Sequence, residues 1–179
     1  PRTSRMAERA FVAMGSNIEP ERHLPRAAAR LTELGAVVAV SSVYQSAAVG
    51  PRPAPDFLNA ALVVETDLDP RAIRSRLREI EANLGRLRTA DRYAPRTIDL
   101  DLCLLGEIRL DDGVLTLPDP DVLERAYLAR VLSELDAEHP YPGRGETLGD
   151  IARRLADTAT LRARPDVGAL ITAIVSPRA

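Results

Sequence analysis

The chain has no lysine and no tryptophan, one cysteine, two histidines and only 3% aromatic residues in a length of 179. Each scarcity removes a class of chemistry. Without lysine there is neither a P-loop ammonium to hold nucleotide phosphates nor an amine for a Schiff base. Cys103 has no second cysteine to pair with, which fits a reducing compartment. With His23 and His139 alone beside it, a zinc site lacks ligands. The few aromatics and the absence of an aromatic RNP-like strand speak against RNA binding. No apolar run is long enough to span a bilayer and no signal-peptide core opens the chain, so the expectation is a cytoplasmic protein without a membrane partner. Residues 1–5, ahead of Met6, are expected to be non-native or disordered.

What is present suits a globular domain: 45% apolar and 28% charged residues, with a net charge of −2. So small a net charge creates no global attraction to nucleic acid or anionic membranes, and any bound anion must be held locally. All 24 basic residues are arginine.

Residues 10–14 are a short apolar run closed by Gly15-Ser16-Asn17, a strand and its turn. A helix follows from Glu19-Pro20, with Leu24, Ala28 and Leu31 on one face and Gly35 at its end. Residues 37–43 read as a second strand, 50–56 as a proline-rich loop and 57–65 as a third strand. Asp69-Pro70 starts a helix carrying Ile73, Leu77, Ile80 and Leu84, with Gly85 as its C′ residue. An arginine-rich loop, 86–96, leads to a fourth strand at 97–105. A hairpin at 107–117 turns at Asp112-Gly113, and helices are expected near 121–135 and 148–155. The apolar stretch 169–175 is expected to pack back as an extra strand. The order β-α-β-β-α-β predicts an α+β, ferredoxin-like core: a mostly antiparallel sheet with both helices on one face, plus an added hairpin and C-terminal helices. That fold hosts many functions and decides none.

Alternation along 97–105 places Thr97, Asp99, Asp101 and Cys103 on one face and Ile98, Leu100, Leu102 and Leu104 on the other, toward the core. The two acids then lie with Cα atoms roughly 6.5–7 Å apart. On spacing alone, a solvated sheet face is the commoner meaning. Arg86, Arg88, Arg92 and Arg96 just upstream change the balance. Guanidinium groups hold phosphate oxygens, and a carboxylate pair suits Mg²⁺ that shares its shell with phosphates. Together they suggest phosphoryl transfer. Asn59, a polar amide among Phe57, Leu58, Ala60 and Ala61, must find partners; a ligand's heterocycle and a neighbouring loop serve equally well.

In order, GSN at 15–17, SSVYQS at 41–46, PDFLNA at 55–60, LGRLR at 84–88 and RYAPRTIDLDLCLLG at 92–106, with ERAYL at 124–128, resemble the 6-hydroxymethyl-7,8-dihydropterin pyrophosphokinase family of folate biosynthesis. The resemblance implies one pyrophosphokinase-like domain over 1–179, with 157–179 as an extension. It also implies pyrophosphate transfer from ATP to the pterin's hydroxymethyl oxygen, with two Mg²⁺ ions as cofactors. Asp99 and Asp101 would hold the metal, and Arg86 and Arg96 would be catalytic. Glu81, Arg88, Arg92, Ile98 and Arg125 would serve ATP. Ser46, Ala47, Val49, Phe57, Asn59, Tyr93 and Tyr127 would receive the pterin. Small molecules would be the only partners, with the oligomeric state left open. Three positions depart from the family's usual pattern: Asp119 replaces a histidine, Tyr93-Ala94 replaces Trp-Gly, and Ala47 replaces a proline. A pterin- or nucleotide-binding homologue without turnover is the alternative.

Overall fold

The computed structural model describes residues 7–91 and 93–176. Among these residues five α-helices and eight strands follow in the order β1 (Glu8–Ser16), α1 (Pro20–Leu31), β2 (Ala36–Val40), β3 (Tyr44–Ser46), β4 (Phe57–Thr66), α2 (Pro70–Asn83), β5 (Asp99–Leu105), β6 (Leu110–Asp111), β7 (Thr116–Leu117), α3 (Ala126–Leu135), α4 (Leu148–Leu155), β8 (Arg162–Ala163) and α5 (Pro165–Val175). The main sheet runs β5-β1-β4-β3-β8, with β2 also on β4, and every pairing is antiparallel. This is the ferredoxin-like order expected from the β-α-β-β-α-β pattern.

The sheet is covered on both faces, which the single-layer expectation missed. On one face, α1 and α2 bury Leu24, Leu31, Ile73 and Leu77 against Val12, Leu62 and Leu100. On the other, α3 and α4 bury Leu132, Leu148 and Ile151 against Phe11, Val63, Cys103 and Leu104. Leu104 thus faces opposite to its alternation assignment. The cause is a β-bulge: Val12 pairs with Leu102 but Phe11 pairs with Leu104, so Cys103 is the extra residue and reverses the parity beyond it. Cys103 is fully buried in that second core, not on a solvated face.

Three other elements differ from the sequence reading. The strand expected at 37–43 stops at Val40 and a separate β3 begins only at Tyr44, because Ser41 Oγ takes the N–H of Ala61 at 2.9 Å in place of a main-chain acceptor. The helix expected near 121–135 is broken: a 3₁₀ turn covers Pro120–Leu123, and α3 begins only after Arg125. The stretch 169–175 is helical, since Pro165 opens α5 and Val167 and Ile171, one turn apart, are its buried residues. It does pack back, against α1 and β2.

Candidate active site

The registers of β4, β1 and β5 build a floor in rows. Asn59, Gly15 and Asp99 lie across the three strands in one row, and Ala61, Ala13 and Asp101 in the next. The third row, Val63, Phe11 and Leu104, is bulky and lies under α3 and α4. A cavity of about 200 Å³ therefore opens where the central strand's side chains shrink to alanine and glycine. Asn59 and Asp99 stand two strands apart, roughly 9–10 Å, at its two ends.

All seven residues expected to receive the pterin converge here. Ser46, Ala47, Val49, Phe57, Asn59, Tyr93 and Tyr127 all line this cavity. So do Arg96, Asp99, Asp101, Asp119 and Arg125. Asp121, Leu128 and Val131, which sequence reasoning missed, complete the wall from α3 and the turn before it. Their signal was the helical spacing of Leu128 and Val131, legible only as core.

Asn59 is buried, and its amide donors are spent internally: Nδ2 bonds Ser46 Oγ at 2.9 Å and the Tyr44 carbonyl at 3.3 Å. That leaves Oδ1 as an acceptor for a ligand N–H, beside Gly15, where an added Cβ would sit 3.5 Å from it. Asn59→Leu removes the acceptor at little cost in volume. It is expected to weaken hydroxymethyl-dihydropterin binding by about 1–3 kcal/mol, read by isothermal titration calorimetry, with ATP binding unchanged.

The charges at the other end are tightly arranged. Asp99 accepts from Arg96 Nη1 at 2.6 Å and lies 3.7 Å from Arg86 Nη2. Arg86 itself is nearly buried behind β5, with Nη1 on the Ile98 carbonyl at 3.3 Å and its Nε unpartnered. The Arg96 guanidinium also lies 5.7 Å from the Phe57 ring centre, so it bridges the acid and the aromatic wall. Asp101 is exposed on β5 where the cleft opens. The protein packed around it still costs its carboxyl hydration and pushes it up to about 7, aided by the negative charges of Asp99, Asp119 and Glu81 and opposed by Arg78. Burial likewise raises Asp119, whose Oδ1 takes the Asp121 N–H. The Tyr127 phenol is pushed up to about 12, chiefly by burial, so it stays a neutral O–H donor.

A second cavity of about 300 Å³ lies around the edge of β5. Arg74, Leu77 and Arg78 of α2, Leu100 and Leu102 of β5, and 114–116 of the hairpin line it. Asp101 and Asp119 border both cavities and form the ridge between them. Arg74 and Arg78 were missed; their i, i+4 spacing on one helix face was the available signal.

The remaining expected residues fall elsewhere. Ile98 is fully buried in the core under α1 and α2. Glu81 is buried behind β5, accepting the Leu100 N–H at 2.9 Å and paired with Arg88. Arg88 is half-exposed and touches neither cavity. Arg92 lies outside the described residues. The two loops do meet over the first cavity: Arg52 pairs with Asp91, and a Cβ on Gly50 would lie 3.0 Å from the Tyr93 ring.

Glu81 titrates in a way that reaches stability. Burial raises its carboxyl from 4.5 to about 7, against the Leu100 hydrogen bond and with help from the Asp99 charge. The fold thus binds this proton more tightly than the unfolded chain does. That contribution is complete below about pH 4.5 and is lost as pH rises through about 7. In Glu81→Gln, which keeps the acceptor for Leu100, the fall in stability between pH 5 and 8 is expected to shrink by roughly 1–3 kcal/mol, measured by urea denaturation without Mg²⁺.

Among the described residues no three acid, histidine or cysteine side chains are grouped to hold a metal by themselves. The donor set at Asp99 and Asp101 is all oxygen, which fits Mg²⁺ only when water and phosphate complete the shell. No helix among the described residues is long and apolar enough to cross a membrane.

The family described as 7,8-dihydro-6-hydroxymethylpterin-pyrophosphokinase (HPPK) matches residues 11–137, a span that holds every wall of both cavities. The chain belongs to that family. Curated relatives include the 2-amino-4-hydroxy-6-hydroxymethyldihydropteridine pyrophosphokinase of Haemophilus influenzae, 31% identical over 87% of this chain and 98% of that one. The protein of the same name from Pseudomonas aeruginosa is 38% identical over 73% of this chain and 82% of its own. Among solved structures, Plasmodium falciparum HPPK-DHPS with pteroate superposes with a TM-score of 0.66 at 13% identity, covering 85% of this chain and 44% of that one. That likeness carries the fold alone; the chain spans under half of that longer protein.

Proposed function

We propose that the chain transfers the pyrophosphate group of ATP to 6-hydroxymethyl-7,8-dihydropterin, releasing AMP, as a step in folate biosynthesis. The observation that carries this reading is the ridge: two cavities of different character meet at Asp101 and Asp119, with Arg96 and Asp99 on one side. The first cavity takes the pterin. Asn59 Oδ1 reads a ring N–H, Phe57 and Tyr127 supply the aromatic faces, and the small residues Gly15 and Ala13 make room above the sheet. The second cavity takes the nucleotide, its base against Leu100, Leu102 and Leu115 and its phosphates directed by Arg74 and Arg78 toward the ridge.

Asp99 and Asp101 are the residues that would hold Mg²⁺, together with triphosphate oxygens. Bound there, Mg²⁺ supplies charge neutralisation and fixes the polyphosphate's geometry. Arg96, already aimed into the cleft from Asp99 and Phe57, stabilises the negative charge on the moving group. The pterin's hydroxymethyl oxygen bonds to the β-phosphorus as the bond from that phosphorus to the α–β bridging oxygen breaks; AMP leaves, and the hydroxyl proton is released to solvent with the products. The loops joined through Arg52–Asp91 and Gly50–Tyr93 cover the first cavity and exclude water from the transfer.

The test is direct. Protein, ATP, Mg²⁺ and the hydroxymethyl-dihydropterin should yield AMP and pyrophosphorylated pterin in equal amounts. No AMP at any Mg²⁺ concentration overturns the reading.

A further inference from the structure

Asn17 lies outside both cavities, at the root of the two loops, and is 5% exposed. Its side chain is used in two directions. Oδ1 accepts the N–H of Arg96 at 2.8 Å, and Nδ2 donates to the carbonyl of Pro55 at 3.1 Å. The main chain reinforces one arm, since the N–H groups of Asn17 and Ile18 both donate to the Arg96 carbonyl at 3.2 Å. Arg96 is therefore gripped through its own N–H and C=O by the turn after β1. The same amide holds the last proline of the other loop, two residues before Phe57.

The turn that carries Asn17 is itself fixed. Ser16 Oγ donates to the Ile18 carbonyl at 3.2 Å, and a ring nitrogen of the buried His23 meets the same carbonyl at 2.7 Å. The rigid end of β1 is thus a common anchor for segments 38 and 79 residues away in the chain.

We propose that Asn17 is a positioning residue that couples the seating of the proline-rich loop, and with it Phe57, to the placement of the Arg96 guanidinium. This rests on the reading of Arg96 and the pterin cavity given above. Only an amide of this length does both tasks. Aspartate keeps the acceptor for Arg96 but turns a second oxygen toward the Pro55 carbonyl; alanine keeps neither bond; glutamine is one methylene too long. Both bonds are partly buried, so losing either leaves a main-chain group without its protein partner. When the pterin draws the proline loop down onto the floor, Asn17 passes that seating to Arg96, 2.6 Å from Asp99.

The test compares the wild type with Asn17→Ala, Asn17→Asp, Arg96→Ala and the Asn17→Ala/Arg96→Ala double variant. Hydrogen exchange and steady-state kinetics are measured at a temperature where each is folded. In Asn17→Ala, amides of 50–57 and 94–97 are expected to exchange faster together, while β1 and β4 keep wild-type protection. kcat should fall about 10- to 100-fold, the usual effect of removing a supporting partner behind a functional group. In Asn17→Asp, only 50–57 should loosen, and the loss should appear as a raised KM for the pterin. In the Arg96→Ala background, adding Asn17→Ala should change kcat by less than about threefold, because both act through one guanidinium. Fully additive losses, or faster exchange in only one loop of Asn17→Ala, overturn the proposal. Failure of the functional reading looks different: the wild type makes no AMP, while the exchange pattern still decides whether Asn17 joins the loops.

Discussion

Asp101→Asn is expected to lower AMP formation about 10³-fold, the upper range for losing one preorganised electrostatic group, while leaving the protein at least as stable without Mg²⁺. Both halves follow from one arrangement. Asp99 and Asp101 occupy adjacent rows of the same sheet face, and Asp119 closes in from the turn before α3. Two carboxylates about 7 Å apart repel by roughly 2 kcal/mol at an effective dielectric of about 20. Arg96 relieves Asp99, whereas the carboxyl of Asp101 is pushed up to about 7. Asparagine preserves shape and removes that repulsion. It also removes the charge that would hold a divalent cation against the triphosphate. Thermal melts should show Mg²⁺ with an ATP analogue stabilising the wild type and not the variant. Activity within tenfold of wild type would take Asp101 out of the metal role.

The acids were legible because a strand's alternation is strict up to the point where it is broken. Asp99 and Asp101 precede Cys103, so they sit where alternation places them, whereas Leu104 follows the bulge and does not. A run of apolar residues on both sides of Cys103 gives no cue to a parity change, since either face can bury a leucine. For the same reason the second layer of helices was not legible: Phe11, Val63 and Leu104 look like core residues whichever face they occupy. Residues 169–175 failed differently. An apolar run interrupted only by Thr172 fits a strand or a helix, and the deciding facts are tertiary, Val167 and Ile171 closing against the face that α1 shares. At the site, Asn59 was conspicuous as an amide in an apolar strand, but which of its atoms remains available depends on Tyr44 and Ser46, brought beside it only by β3 pairing. Ile98 shows the reverse: alternation already turned it toward the core, and the structure buries it there.

Phe11→Ala is expected to destabilise the fold by about 3–5 kcal/mol, the range for deleting a buried aromatic side chain. At this chain length that corresponds to a fall in Tm of roughly 6–20 °C. Phe11 is fully buried in the middle of the bulky row, between Val63 and Leu104, and carries α3 and α4 on its ring. Its ring lies 4.7 Å from that of His139, and the Arg9 guanidinium stands 5.4 Å from its centre while pairing with Asp136 at 2.7 Å. The residue therefore pins the end of α3 whose start supplies Tyr127, Leu128 and Val131 to the cavity. The side chain itself does not reach that cavity. Below its melting temperature, Phe11→Ala should accordingly raise the KM for the pterin more than it lowers kcat, because α3 forms one wall of the cavity proposed for the pterin, while Asp99, Asp101 and Arg96 are held by β5 and its preceding loop. Phe11→Leu, which refills most of the space, should recover most of the lost stability and the KM together. A Tm within about 2 °C of wild type for Phe11→Ala, less than the fall expected from even 1 kcal/mol, would show that α3 and α4 are seated by something other than this row.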